Sequence, residues 1–187
     1  MSAKQYGMLI DTTRCVGCQT CVVSCKINYQ VPEEAYWSSV ETIGSEVMYQ
    51  PTGKYPHPVL AFRPRLCNHC TDPVCVKNCP TGAMHKDENG IVSVSQEVCI
   101  GCQYCVWVCP YNAPKLDTVQ NVMSKCTFCQ GRTTKGEKPY CVESCPAEAR
   151  IFGLISDPHS EISRLISAKH AQPLLPHFGT VPSVYYV

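Results

Sequence analysis

Residues 99–110 read Cys99-Ile-Gly-Cys102-Gln-Tyr-Cys105-Val-Trp-Val-Cys109-Pro110, with four Cys at short and regular intervals. Outward from this run, the sixteen Cys of the 187-residue chain form four such groups, and none is left over. A repeat of this kind predicts several copies of one structural unit. The groups are I (Cys15, Cys18, Cys21, Cys25), II (Cys67, Cys70, Cys75, Cys79), III (Cys99, Cys102, Cys105, Cys109) and IV (Cys126, Cys129, Cys141, Cys145).

The rest of the composition indicates short elements joined by many turns. The chain has 15 Pro and 11 Gly, the residues that punctuate helices and strands. Its formal net charge of +1 creates no basic surface field, so we expect no nucleic-acid partner. No apolar run approaches the length of a transmembrane helix. We therefore expect covalent or metal bonds, rather than a large apolar core, to hold this chain together.

Disulfides, zinc and iron–sulfur clusters are the three uses of Cys that compete. The residues after Met1, Ser-Ala-Lys-Gln-Tyr-Gly, contain no apolar signal segment and no twin-Arg pair, which disfavours secretion and disulfides. Export as the passenger of a signal-bearing partner stays open. Structural zinc uses two separated Cys pairs, a pattern that group IV alone resembles. Groups I and III instead match C-x2-C-x2-C-x3-C, the run that binds [4Fe–4S] clusters.

The spacing also predicts how the groups cooperate. Three thiolates on one tight loop hold three corners of a cluster, while the fourth Cys, one helical turn further on, reaches the neighbouring cluster. Groups II and III pair because only 19 residues separate Cys79 from Cys99, with an Asn89-Gly90 turn between two strand-like runs. Groups I and IV then pair from opposite ends of the chain. We predict four [4Fe–4S] clusters as cofactors.

The exchange of fourth ligands defines four sets of Cys. These are set 1 (Cys15, Cys18, Cys21, Cys145), set 2 (Cys67, Cys70, Cys75, Cys109), set 3 (Cys99, Cys102, Cys105, Cys79) and set 4 (Cys126, Cys129, Cys141, Cys25).

The predicted fold class is α+β: two ferredoxin-like, bacterial-type 2[4Fe–4S] units, one inserted in the other, with short strands, short helices and long loops. Residues 1–30 with 120–155 form the unit of groups I and IV, and 63–119 form the unit of groups II and III. Residues 28–62 are an insertion, and 156–187 are a C-terminal tail for subunit contacts. Strands are expected at 6–11 and 150–155, and helices near 19–29, 103–109, 141–145 and 158–170, the last capped by Asp157. The tail either lies on the protein's own surface or straps a partner.

Several runs closely resemble the iron–sulfur B subunit of dimethyl sulfoxide reductase and the matching subunits of polysulfide, thiosulfate and tetrathionate reductases. They are Tyr6-Gly-Met-Leu-Ile-Asp-Thr-Thr-Arg-Cys-Val-Gly-Cys-Gln-Thr-Cys21, Cys79-Pro-Thr-Gly-Ala-Met84, Cys99-Ile-Gly-Cys-Gln-Tyr-Cys105, Cys109-Pro-Tyr111 and Lys125-Cys-Thr-Phe-Cys129. The resemblance extends from about residue 5 to 155. It is specific for the subunit type and much less so for the substrate.

This resemblance implies a non-catalytic electron-transfer subunit of a molybdopterin oxidoreductase in anaerobic respiration. Its four clusters would relay electrons between a large catalytic subunit, holding molybdenum or tungsten, and an integral-membrane, quinone-linked anchor. The subunit would attach to the membrane through these partners, on the periplasmic or the cytoplasmic side. Two alternatives stay open: an electron conduit in a formate dehydrogenase or hydrogenase-type complex, and a free polyferredoxin. No Walker loop, GxGxxG or HExxH motif indicates independent catalysis.

Side chains beside the Cys groups invite further roles. Trp107 and Tyr104 are expected to shield a cluster from water by packing. His69 is expected to face outward or to be hydrogen-bonded rather than to bind metal, and Tyr185 and Tyr186 to make contacts. Six cations near the groups are expected to be ordinary solvated side chains rather than charges that raise cluster potentials. They are Arg14, Lys26, Arg65, Lys77, Lys115 and Lys125.

Overall fold

Twelve short strands and six short helices run through residues 4–187, the part of the chain that the computed structural model describes. This confirms the α+β class with short elements. The strands are β1 (Tyr6–Ile10), β2 (Ser38–Thr42), β3 (Thr52–Lys54), β4 (His57–Val59), β5 (Phe62–Leu66), β6 (Met84–Lys86), β7 (Val92–Val94), β8 (Lys115–Asp117), β9 (Val122–Ser124), β10 (Arg150–Leu154), β11 (Gln172–Pro173) and β12 (Val184–Tyr186). The helices are α1 (Thr20–Asn28), α2 (Val74–Lys77), α3 (Tyr104–Trp107), α4 (Gln130–Thr133), α5 (Tyr140–Glu143) and α6 (Glu161–Ala168).

A four-stranded sheet joins the two ends of the chain. Its strand order is β10-β1-β12-β11. Strand β1 pairs antiparallel with β10, which places Met8 opposite Phe152, and parallel with β12, which places Met8 opposite Val184. Leu9 and Ile10 are fully buried because both faces of this central strand are covered. The two strands expected from sequence therefore form, and they pair with each other.

Four antiparallel hairpins or ribbons complete the strand content. Strands β6 and β7 form the hairpin predicted between groups II and III, and Gly90 turns it with a φ of +78°. Strands β8 and β9 form a second hairpin, which follows group III. Within the segment expected to be an insertion, β3 pairs with β4. At its edge β2 pairs with β5, which extends beyond residue 62 into the predicted unit of groups II and III, so that Ser38 lies opposite Leu66. The pairing of β2 with β5 thus brings the start and the end of this segment together.

The helices behind the Cys groups are short, and they carry the Cys that follow each tight loop. Helix α1 carries Cys21 and Cys25 and packs against α5, which carries Cys141. Helix α2 carries Cys75 and packs against α3, which carries Cys105. Groups I and IV are therefore adjacent in space, and so are groups II and III.

The start of α6 differs from the expectation. The helix begins at Glu161, and Ser160 caps it by accepting a hydrogen bond from the Ser163 backbone N–H at 3.2 Å. Asp157, the expected cap, instead accepts a hydrogen bond from the His159 N–H at 2.9 Å. Its side chain therefore stabilises the turn that precedes the helix.

The last residues of the tail belong to the protein's own core. Strand β12 lies inside the four-stranded sheet, Val184 is fully buried, and the Tyr186 hydroxyl donates to the Pro64 carbonyl at 3.0 Å. This corrects the expectation that the whole tail serves subunit contacts. For the exposed residues Phe178 and Val181, that role stays a prediction.

None of the helices within residues 4–187 has the length and apolar character needed to cross a membrane.

Candidate cluster-binding sites

The four Cys loops share one backbone feature although their sequences differ, namely a left-handed residue. In each C-x-x-C loop, the residue before the second Cys has a positive φ: Gly17 (70°), His69 (39°), Gly101 (65°) and Phe128 (49°). A left-handed residue lets a short loop curl so that its backbone N–H groups face inward. Two groups use Gly for this turn, and two use a residue with a ring. All four loops are therefore built on the same turn.

Three of the four predicted Cys sets each line one cavity. Cys145 joins the first three Cys of group I, Cys109 joins the first three Cys of group II, and Cys25 joins the first three Cys of group IV. Each cavity thus contains a Cys from a second group. The exchange between groups arises because α1 packs on α5, and α2 packs on α3.

The Cys of set 3 are also neighbours. Burial, followed by the nearby thiols of Cys102, Cys99 and Cys79, raises the pKa of Cys105 to about 11. Cys102 is exposed, whereas Cys105 is buried. This site therefore lies closer to the protein surface than the sites of sets 2 and 4.

Backbone N–H groups donate to the sulfur of the fourth Cys in groups II and IV and of the first Cys in group III. Met84 N–H donates to Cys79 Sγ at 3.4 Å, and Ala149 N–H donates to Cys145 Sγ at 3.4 Å. Met123 N–H donates to Cys99 Sγ at 3.3 Å. Such bonds favour a thiolate and, with bound iron, tune its reduction potential.

Buried thiols dominate the electrostatics of the interior sites. Burial raises the pKa of Cys25, Cys70 and Cys75 to about 12, and neighbouring thiols add to this rise. These groups must lose their protons to bind iron, and the iron itself supplies the compensating positive charge. Within residues 4–187, no three His, Cys, Asp or Glu side chains converge closely enough to hold a single metal ion.

Comparison with known proteins agrees with this arrangement. Residues 58–155 and residues 14–83 each match a family described as a 4Fe-4S dicluster domain. The chain is 45% identical to the B component of the anaerobic dimethyl sulfoxide reductase of Escherichia coli, over 82% of this chain and 75% of that protein. It is 43% identical to the B component of the tetrathionate reductase of Salmonella typhimurium, over 98% of this chain and 72% of that protein. The chain belongs to the family of dimethyl sulfoxide reductase-type iron–sulfur B subunits.

A further relative is the B component of the sulfite dehydrogenase of Allochromatium vinosum, which is 41% identical over 98% of this chain and 82% of that protein. With two dicluster domains and sixteen Cys, this iron–sulfur protein holds four [4Fe–4S] clusters. It is an electron-transfer component of an oxidoreductase complex and not its catalytic subunit. The cofactor, the family and the non-catalytic role expected from sequence are confirmed.

A buried arginine that sequence reasoning missed lies among the Cys of this electron-transfer subunit. Arg150, the first residue of β10, is 3% exposed, and its Nη2 donates to Cys21 Sγ at 3.2 Å and to Ser38 Oγ at 3.3 Å. Burial opposes its charge, but the thiols of Cys141 and Cys21 raise the pKa of the guanidinium above its ordinary value. The available signal was a charged residue opening an otherwise apolar strand.

Lys125 corrects the expectation of solvated cations. It is 2% exposed, and its Nζ donates to the carbonyls of Val92 and Cys126, the latter at 3.0 Å. The side chain lines the cavity of set 2. It is buried because it follows β9 directly into the core. Two other cations do behave as expected: Arg14 and Lys77 are exposed and form ion pairs with carboxylates.

His69 is hydrogen-bonded in the interior, one of the two expected alternatives. It is fully buried, its Nδ1 accepts the Val92 N–H at 3.0 Å, and its ring stacks on Phe128 with 3.7 Å between centroids. Burial holds the pKa of His69 well below its ordinary value, so the ring is neutral. The stacked pair joins the left-handed turns of groups II and IV.

The two aromatic residues of group III do not shield a cluster by burial. Trp107 is 80% exposed, and Tyr104 packs edge-on against it with 6.4 Å between ring centroids. The expectation of shielding is wrong for Trp107 because α3 is a single turn that directs this side chain outward. In the tail, Tyr186 is buried and its hydroxyl donates to the Pro64 carbonyl, so its contact lies within the protein's own core.

Proposed function

We propose that the four Cys sets are the ligands of the four clusters, each set supplying one Cys from a second group. Sets 1, 2 and 4 each line one cavity with four Cys, as one kind of occupant would require. Each cavity provides a space among its four Cys. A cubane separates its four thiolates, whereas tetrahedral zinc draws them together. This supports clusters rather than zinc for group IV as well.

The protein's own residues hold and shield these sites. Thiolates supply the bonds, backbone N–H groups donate to their sulfurs, and burial excludes water from set 4, whose four Cys are all buried. When bound, the clusters supply one-electron transfer. Cys25 of set 4 lies one helical turn from Cys21 of set 1 on α1, and Cys126 of set 4 belongs to the same buried cluster as Cys67 of set 2. We infer a linear order of sites: set 1, set 4, set 2 and set 3.

The partners follow from the relatives. The chain is 45% and 43% identical to iron–sulfur components named for reductases of dimethyl sulfoxide and tetrathionate, both oxidised sulfur compounds. We propose a catalytic partner that carries molybdenum or tungsten on molybdopterin and acts on an oxidised sulfur compound. An integral-membrane, quinone-linked anchor would supply the electrons. The protein would then be peripheral, attached to the membrane through its partners.

A second candidate reverses the electron flow. The relative named for sulfite dehydrogenase is 41% identical over 98% of this chain. A dehydrogenase complex would send electrons from a sulfur substrate toward an acceptor, through the same four sites. The geometry of the sites is compatible with both directions because a one-electron relay is reversible.

Anaerobic purification of the tagged chain from its native host tests the proposal. The expected result is about sixteen irons per chain, four for each proposed site, together with a large co-purifying subunit that contains molybdenum or tungsten. Reduced quinone analogues should then drive reduction of tetrathionate or dimethyl sulfoxide by the complex. Sixteen irons without a partner would instead indicate a free polyferredoxin, and zinc in place of iron would overturn the cluster assignment.

Two matched substitutions test the exchange of ligands. Cys25→Ser should perturb the same electron paramagnetic resonance (EPR) signal as Cys129→Ser, because we place both in set 4. Cys21→Ser, although it lies on the same helix as Cys25, should perturb a different signal, that of set 1. If Cys25→Ser and Cys21→Ser affect the same cluster, the proposed exchange is wrong.

A further inference from the structure

Two cations are buried in this protein without a carboxylate partner. Arg150 is 3% exposed and Lys125 is 2% exposed. In the part of the chain that the structure describes, neither takes part in an ion pair. A buried charge is strongly unfavourable unless an opposite charge compensates it. The compensating negative charge must therefore come from the sites that these side chains face.

Arg150 faces two of the proposed sites. It lines the cavity of set 1 and donates to Cys21 Sγ of that set at 3.2 Å. The charge of its guanidinium also acts on the thiol of Cys141, which belongs to set 4. Ser38 Oγ accepts a second hydrogen bond from the same Nη2, at 3.3 Å, and helps to hold the guanidinium in place. Arg150 therefore lies at the junction of sets 1 and 4.

Lys125 lies at the next junction along the inferred order. Its side chain lines the cavity of set 2, and its charge acts on Cys75 of that set. It precedes Cys126 of set 4 in sequence, and its Nζ donates to the Cys126 carbonyl at 3.0 Å. The Val92 carbonyl accepts a second hydrogen bond from the same Nζ. Both acceptors are neutral, so they orient the ammonium without cancelling its charge.

We infer that Arg150 and Lys125 are fixed counter-charges, each shared by two neighbouring clusters, and that they raise the reduction potentials of sets 1, 4 and 2 but not that of set 3. The inference rests on the proposed ligand sets. A [4Fe–4S]2+ core with four thiolates carries a charge of about −2, and one added electron makes it about −3. A cation beside the ligands stabilises the more negative state, and solvent does not screen it when it is buried.

The test is an EPR-monitored redox titration of the full chain together with the subunits that co-purify with it. Dithionite supplies the electrons, and the iron content of each sample is measured first. The neutral variants are Arg150→Gln and Lys125→Met. Each variant should lower the equilibrium constant for one-electron reduction of its two clusters by about tenfold, which lowers their midpoint potentials by about 59 mV.

The pattern across the two variants needs no prior assignment of signals. One midpoint should fall in both variants, one in Arg150→Gln alone, one in Lys125→Met alone, and one in neither. Arg14→Gln and Lys77→Gln are matched controls, because these cations adjoin or follow a group closely in sequence but are exposed and paired with Glu148 and Asp72. In these controls, the equilibrium constants for one-electron reduction of the clusters should stay within about twofold of wild type, because solvent screens exposed charges.

Arg150→Lys separates charge from packing. This variant keeps the positive charge and loses the planar fork of the guanidinium. The equilibrium constants for reduction of its clusters should therefore remain within about threefold of wild type. A tenfold fall in Arg150→Lys would show that hydrogen-bond geometry, and not charge, sets the potentials, and would overturn the inference. If Arg150→Gln does not retain its iron, Arg150→Lys and Lys125→Met still decide the outcome.

The proposed function and this inference fail in different ways. A wild-type chain with far fewer than about sixteen irons would overturn the ligand sets, and the inference with them. Full iron content with midpoints that do not move in Arg150→Gln and Lys125→Met would overturn the inference alone. Equal shifts in all four midpoints would also overturn it, because a shared counter-charge acts on its two neighbours and not on the whole chain of sites.

Discussion

Gly101→Ala should selectively weaken the site of set 3. Gly101 lies between Cys99 and Cys102, with a φ of +65°. A Cβ built on it would lie 2.4 Å from the Asn121 backbone carbonyl oxygen, in the turn between β8 and β9. Real Cβ atoms stay at least 3.0 Å from such an atom, so one of the two backbones must move by about 0.6 Å.

The magnitude follows from two separable effects. A left-handed backbone costs an alanine about 1–2 kcal/mol, and the forced overlap adds about 1–3 kcal/mol. Gly82→Ala is the matched control, because Gly82 has a φ of +70°, follows the set 3 residue Cys79, and has nothing within 4 Å of its would-be Cβ. Gly82→Ala should therefore lose only about 1–2 kcal/mol, the cost of the left-handed backbone. The difference of about 1–3 kcal/mol corresponds to a population of open loop that is about 5- to 150-fold larger.

The assay is the anaerobic release of iron to a ferrous chelator. Release tracks the population of open loop when opening and closing are fast. In Gly101→Ala, about one quarter of the iron should leave about 5- to 150-fold faster than the same fraction leaves Gly82→Ala. The remaining three quarters should leave at the wild-type rate. Release kinetics identical to those of Gly82→Ala, or an equal acceleration at all four sites, would refute the reasoning.

Three further substitutions have specific expected outcomes. Asp11→Asn should destabilise the protein by about 1–2 kcal/mol, measured as the urea midpoint of cluster bleaching, because Lys169 Nζ donates to the buried Asp11 carboxylate at 2.5 Å. Burial raises the pKa of Asp11, but the hydrogen bonds that the carboxylate accepts outweigh burial and lower it below 3.8. The loss of stability in Asp11→Asn should therefore be equal at about pH 5.5 and about pH 8, and it should vanish only as the pH falls through the lowered pKa. Trp107→Ala should leave iron content unchanged and stability within about 0.5 kcal/mol, because this side chain is exposed. Ser183→Ala should cost about 1 kcal/mol in the same urea assay, because its buried hydroxyl donates to the His69 carbonyl at 3.0 Å.

Each of these predictions has a control in the same chain. Glu34→Gln alters an exposed carboxylate and should be neutral, and a loss equal to that of Asp11→Asn would contradict the role of the ion pair. Met123→Ala, which empties a buried position near set 3, should cost about 2–5 kcal/mol. If Trp107→Ala is equally damaging, Trp107 is not the surface residue that the structure shows. Ser167→Ala, at an exposed helix position, should not match the effect of Ser183→Ala.

Much of the site could be predicted because ligand spacing is a local property. The loop from Cys99 to Cys105 contains its own turn and three of its ligands, so its chemistry is visible within seven residues. The hairpin around Gly90 was visible for the same reason. The buried setting of Arg150 was not, because the residues that cover it, such as Cys21 and Ser38, lie more than 100 residues away in sequence.

The four Cys groups at cluster-binding intervals were enough to predict the cofactor, the α+β class of short elements and the family, because such spacing leaves little room for another chemistry. The burial of Lys125, the exposure of Trp107 and the place of β12 in the central sheet are visible only in the folded chain. A three-residue strand is too short to carry a pattern, and burial depends on what packs over a residue from distant parts of the chain. Spacing is recorded in one segment, whereas burial is a property of several segments brought together.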